Sequence, residues 1–183
     1  MGDCHYLDGN VYTAKRLEVL HHLLEVAGLG RDRVQLRWVS SAEGQLFADY
    51  VTELTGVIRE MGPLDRQRHQ RPLVSVEKAL QTMPLRWLMN MERQLTEKEN
   101  VFHQQLDAAV FKSALRRTAE EEYQKALLGE VLKEGPKTVP QMAEETNLPM
   151  YTVSLRLNDL ERSGLADVSS HKGTTFTFKF LVA

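Results

Sequence analysis

Apolar positions in the first sixty residues follow two different rhythms. After Thr13, Ala14, Leu17, Leu20, Leu24 and Ala27 recur at helical spacing and stop at Gly28 and Gly30. Residues 34–39 (Val-Gln-Leu-Arg-Trp-Val) switch to alternation, which predicts a strand. Ser40 and Glu43 then stand three apart, the spacing of a capping box. The helix they predict carries Leu46, Phe47, Tyr50, Val51, Leu54, Val57 and Ile58 on one stripe, and Gly62-Pro63 ends it. A single strand between two helices has no partner for its backbone N–H and C=O groups, and an isolated strand is not stable. Residues 1–64 therefore read as an α/β fragment, the C-terminal part of a parallel-sheet domain. Its other strands are expected upstream of Met1 or on another chain. The opening residues 2–6 then form the loop after a strand, where α/β folds place their ligands.

Residues 65–117 read as a helical linker region. A basic link with Arg66, Arg68 and Arg71 is closed by Pro72. Helical patterns follow through Val76, Leu80 and Met83, then Leu85, Leu88, Met89 and Met91, then Phe102, Leu106, Val110 and Leu115. The methionines are expected to fill irregular gaps in packing rather than to ligate a metal. Residues 118–183 begin with a helix through Tyr123, Ala126, Leu127, Val131 and Leu132 that ends at Gly135-Pro136. Thr138 caps a short helix over 139–145, Asn147-Leu148-Pro149 makes a turn, and a third helix over 150–163 buries Val153, Leu157 and Leu160. Strands over 165–168 and 174–180 flank a turn at His171-Lys172-Gly173, the second alternating Phe176, Phe178 and Phe180 with polar residues. Three helices followed by a hairpin resemble a winged helix-turn-helix domain. The whole chain is expected to be mostly α.

Composition narrows the function. The chain has 183 residues, 42% apolar and 26% charged, with a formal net charge of −2, as in a folded chain of one domain or two small ones. No run approaches the roughly 18 apolar residues of a membrane span, and the N-terminus lacks the regions of a signal peptide, so a cytoplasmic protein is expected. One cysteine, Cys4, closes no internal disulfide and does not by itself supply the four thiolates that an iron–sulfur cluster normally takes. DNA affinity rests on neutralising phosphates, yet residues 120–183 hold seven basic side chains against ten acidic ones, a net −3. On the third helix Tyr151, Thr152, Ser154, Arg156 and Asn158 are the candidates for base edges, with Lys172 at the wing tip. The acidic balance argues for protein docking there instead. The sequence shows no nucleophile–base pair, no carboxylate pair of defined spacing and no phosphate-cradling glycine loop, so a non-catalytic role is expected.

The N-terminal string adds what spacing does not. Gly2-Asp3-Cys4-His5-Tyr6, Gly9-Asn10, Arg16, Gly28-Leu29, Trp38, Ser40-Ser41-Ala42-Glu43-Gly44, Phe47-Ala48 and Gly62-Pro63 together resemble the delta, or iron–sulfur, subunit of methyl-viologen-reducing hydrogenase, also found with heterodisulfide reductase subunits. Arg86-Trp87-Leu88 and Glu99-Asn100-Val101-Phe102 extend the resemblance. It implies a 2Fe–2S cluster that relays electrons between a hydrogenase or dehydrogenase module and the flavin-containing heterodisulfide reductase subunit. Of the family's several cysteines only Cys4 has a counterpart here; the resemblance makes it the metal ligand, with Gly2 allowing close backbone approach and His5 beside the cluster. The missing cysteines imply an N-terminally truncated or split subunit. The expected function is an electron-transfer subunit; the alternative is a winged-helix DNA-binding transcriptional regulator.

Overall fold

A computed structural model of the chain describes residues 7–181. The fold is mostly helical and divides into two units that meet between Gln70 and Arg71.

In the N-terminal unit, α1 (Gly9–Val26) starts before the apolar rhythm does, its polar first turn closed by Tyr12 N–H donating to the Asp8 carbonyl at 3.1 Å. Val19, Leu23 and Leu24 are its buried residues. Beyond it the expected strand is absent among the described residues. Residues 34–39 form no strand: Val34 lies in a bend and 35–39 are irregular, and no parallel sheet is present among the described residues. The alternation is there, but a strand is defined by its partner, and no described segment pairs with this one. The capping box is also half formed. Ser40 N–H donates to the Glu43 carboxylate at 2.7 Å, but helix α2 (Gly44–Met61) begins only after Glu43. Gly62 ends α2 at φ 69°, a conformation that suits glycine.

The basic segment is helical rather than a link. Arg66, Arg68 and Arg71 lie in helix α3 (Arg66–Gln81), which continues through Pro72 and contains the boundary between the units. The Asp65 carboxylate accepts from Arg68 N–H at 3.0 Å and its carbonyl from His69 N–H at 3.1 Å. The start is therefore capped, and Pro72 costs the helix one N–H without ending it.

In the C-terminal unit, α4 (Met83–Thr96) packs along α5 (Ala108–Lys133). Asp107 caps α5 by accepting from Ala109 and Val110 N–H at 2.9 and 3.0 Å. This helix runs unbroken through position 118. There follow β1 (Lys137–Thr138), α6 (Val139–Thr146), α7 (Met150–Arg162), β2 (Ala166–Lys172) and β3 (Thr175–Phe180). The capping box of α6 is complete: Thr138 N–H donates to Gln141 Oε1 at 2.9 Å, and Thr138 Oγ1 accepts from Gln141 N–H at 3.4 Å. The sheet is antiparallel in the order β1-β3-β2, with Thr138 opposite Thr177 and Ala166 opposite Phe180. Gly173 at φ 61° lets β2 turn into β3. Leu128, Val131 and Leu132 of α5, Met142 of α6, Val153, Leu157 and Leu160 of α7 and Ala166 of β2 form the core. Phe178 and Phe180 pack against it, whereas Phe176 remains 49% exposed.

Candidate functional site

Gly2, Cys4 and His5, the residues assigned to a cluster, lie outside the described residues. Among the described residues no group of three or more histidines, cysteines or acids is placed to hold a metal ion, and none of their helices is long and apolar enough to cross a membrane.

What the N-terminal unit does present is an unfilled surface. Residues 34–39 are tethered by side chains on both helices. His21 Nε2 donates to the Val34 carbonyl at 2.6 Å. Arg37 pairs with Glu53 at 3.0 Å and lies 5.7 Å from the centre of the Tyr50 ring. Leu17, His21, Val34 and Leu36 line a groove of about 310 Å³. On the other helix, α2 has no buried residue at all, although an amphipathic helix of a folded domain normally buries its stripe. Phe47 is 58% exposed and Val51 48%. Leu54, Ile58, Pro63 and Leu64 line a second groove, of about 560 Å³. Arg33 reaches across to the α2 terminus and donates to the Gly62 carbonyl at 2.9 Å. Pattern reading identified the stripe and the alternation; it missed the His21 and Arg37 tethers, because neither is visible until α1 and α2 are placed.

In the C-terminal unit the candidate nucleic-acid contacts do not act together. Tyr151 is 74% exposed, and Asn158 and Lys172 are exposed. Thr152 is half-buried, and Ser154 Oγ donates back to the Met150 carbonyl at 3.0 Å. Arg156 is turned inward, its side chain only 13% exposed, paired with Asp159 at 2.8 Å and with Glu121 at 3.4 Å. The surface of α7 beside it is apolar, with Met150 and Leu155 exposed. The other charged groups brace helices. Glu130 accepts from Lys78 and, at 2.8 Å, from Lys133. Burial pushes its carboxyl upward, but the two lysines outweigh this and hold it below the ordinary carboxylate range. The same carboxylate raises Lys133, and burial raises the Tyr123 phenol.

Residues 1–62 match the family described as the methyl-viologen-reducing hydrogenase, delta subunit. The chain is 43% identical over 68 residues to the iron-sulfur subunit of the F420-non-reducing hydrogenase of Archaeoglobus profundus, covering 37% of this chain and 50% of the relative. It is 38% identical over 63 residues to the vhu iron-sulfur subunit of the same hydrogenase type from Methanopyrus kandleri, covering 34% and 48%. It is 38% identical over 64 residues to one subunit of the ferredoxin:CoB-CoM heterodisulfide reductase of Methanosarcina mazei, covering 35% of this chain and 8% of that protein. The chain thus spans about half the length of the hydrogenase iron-sulfur subunits it matches. No solved structure matches the chain.

Proposed function

We propose that this chain is a non-catalytic component of an electron-transfer complex of the hydrogenase and heterodisulfide reductase kind, working in the cytoplasm. One observation carries the reading: the delta-family segment recurs both in hydrogenase iron-sulfur subunits and in a heterodisulfide reductase. A module common to both sides of an electron transfer fits a place at the junction between them. Its partners are then hydrogenase or dehydrogenase subunits and a flavin-bearing heterodisulfide reductase-like subunit.

The 2Fe–2S cluster of this reading does not fit the 183 residues by themselves. They contain one cysteine against the four thiolates such a cluster normally takes, and the described residues add no metal-ligand group. Cys4 is at most one ligand of a cluster completed by other polypeptide. What the chain itself supplies is docking surface.

For the C-terminal unit we propose a winged helix that docks protein. In this assignment α6 and α7 are the helix-turn-helix and β2–β3 the wing. The buried pairing of Arg156 with Glu121 and Asp159 supports protein over DNA, since the one cation central on α7 is already neutralised. Exposed Met150, Tyr151 and Leu155 suit an apolar partner.

The reading is tested by tagging the chain at its C-terminus in its native host and isolating it without oxygen. Heterodisulfide reductase-type and hydrogenase-type subunits are expected to co-purify in fixed ratio, with hydrogen or reduced viologen reducing the flavin of the assembly. Absence of both subunit types, together with salt-sensitive DNA binding at micromolar protein, would establish the regulator instead.

A further inference from the structure

Charge is segregated along the chain. Residues 65–119 hold ten basic side chains against six acidic ones, a net +4, whereas residues 1–64 and 120–183 are each −3. Ion pairs absorb part of the basic excess: Arg71 with Glu134, Lys78 with Glu130, and Arg93 with Glu97 at 2.9 Å. Arg86, Arg116 and Arg117 are exposed and have no ion pair among the described residues. The fold gathers these three. Leu106 N–H donates to the Leu95 carbonyl at 3.0 Å across the loop between α4 and α5, which sets the register of two helices packed side by side. At about 1.5 Å per residue in both helices, Arg86 stands level with about residue 115, within a turn of Arg116 and Arg117. Leu85 and Phe111 are buried, so the other faces of the two helices look outward. There Met83, Arg86 and Trp87 fall within one turn of α4, with Met83 78% and Trp87 51% exposed.

We infer that the α4–α5 hairpin docks an acidic segment of a partner protein, with carboxylates on Arg86, Arg116 and Arg117 and apolar side chains over Met83 and Trp87. Charge and composition select this occupant. Trp, Met and Arg are the residue types enriched where proteins meet proteins. A guanidinium grips a carboxylate through two parallel hydrogen bonds, so arginines suit an acidic partner. Nucleic acid is disfavoured, because its binders neutralise many phosphates and this chain brings three unpaired cations to the face and a net charge of −2 overall. An anionic membrane is disfavoured for the same reason, since it takes a cluster of about 4–8 basic residues. Which polypeptide carries the acidic segment rests on the proposed function, which supplies partner subunits; the chemistry of the segment does not.

The test uses the full tagged chain, isolated from its native host without oxygen. Replacing Arg86, Arg116 and Arg117 together by glutamine is expected to lower partner retention at least tenfold. The circular dichroism and thermal midpoint of the purified chain should stay those of the parent, because all three side chains are exposed. Trp87→Ala is expected to lower retention as well, and raising salt from about 0.05 to 0.5 M should weaken the parent. Arg86→Lys and Arg117→Lys keep the charge and supply amines for zero-length carbodiimide coupling. The residues coupled on the partner are expected to be aspartates or glutamates of one segment that also carries apolar side chains. A parent that retains no protein, a glutamine variant that retains as much as the parent, or coupling to no single segment would overturn the inference. So would nucleic acid that co-purifies with the parent and is lost from the glutamine variant, or sedimentation with phosphatidylserine vesicles that the same variant loses. If the glutamine variant still holds hydrogenase-type and heterodisulfide reductase-type subunits, the inference fails and the proposed function stands. If the coupled acidic segment belongs to a protein of another kind, the docking face stands and the proposed function fails.

Discussion

Glu130 sits where two helices are joined by charge, and replacing it with glutamine has a calculable consequence. The side chain is 19% exposed and receives both Lys78 and Lys133, which are 40% and 41% exposed. An exposed pair contributes about 0–1 kcal/mol, whereas stripping one partner from a fully buried pair costs about 3–5 kcal/mol. Here the carboxylate is mostly covered, but the two ammonium groups retain water when it is lost. Glu130→Gln should therefore cost about 1–2 kcal/mol, which lowers the protection of globally exchanging amides roughly 5- to 30-fold. The native carboxyl titrates below its ordinary range, so its contribution is complete above the unfolded value and disappears as pH falls through the native one. Native-state hydrogen exchange at the buried Val131 and Leu132 amides measures this in the full chain. The deficit of the variant should be present at pH 7 and should shrink as pH falls below the ordinary carboxylate range. A variant as protected as the parent at pH 7, or a deficit that does not change with pH, would refute the assignment of the brace to charge.

Three further outcomes are open to measurement. Thr138→Ala removes the hydroxyl that caps α6 and should lower stability by about 1 kcal/mol, read as a drop in thermal midpoint that Thr138→Ser largely restores. A Cβ on Gly129 would stand 3.2 Å from the Phe180 ring, so Gly129→Leu should cost about 1–3 kcal/mol by overpacking. The loss should be less than additive with that of Phe180→Ala, because the smaller residue vacates the contested space. Reconstituted alone with iron and sulfide, the chain should show no stoichiometric 2Fe–2S absorbance, since it carries a single cysteine; one full cluster per monomer would contradict this.

Local signals were read well where local physics decides the outcome. Thr138 caps α6 as expected, Val153, Leu157 and Leu160 are buried as their spacing requires, and Asn147 takes the left-handed turn. The failures share another cause. Alternation over residues 34–39 reports which side chains share a face, but a strand also needs a neighbour. Pro72 reads as a break because it lacks an N–H, yet the cap from Asp65 lets α3 form around it. The short β1 at Lys137–Thr138 carries no periodicity and exists because β3 lies beside it. Arg156, a candidate for base edges on α7, is paired with Asp159 and Glu121. The pairing with Glu121 is not legible locally, because the two lie 35 positions apart.

The continuity of α5 sets a phasing rule for the C-terminal unit. The first half of this helix buries Phe111 and Ala119, and the second half carries Leu128, Val131 and Leu132 in the core. At about 100° per residue, one residue inserted between Phe111 and Ala119 would turn the buried surface before the insertion by more than a quarter circle against the surface that meets α6, α7 and β3. Two insertions would nearly reverse it, while about seven would return it almost to register. Length is therefore quantised here in a way that it is not in the loop at residues 97–107, where an added residue alters no angular relation between packed faces.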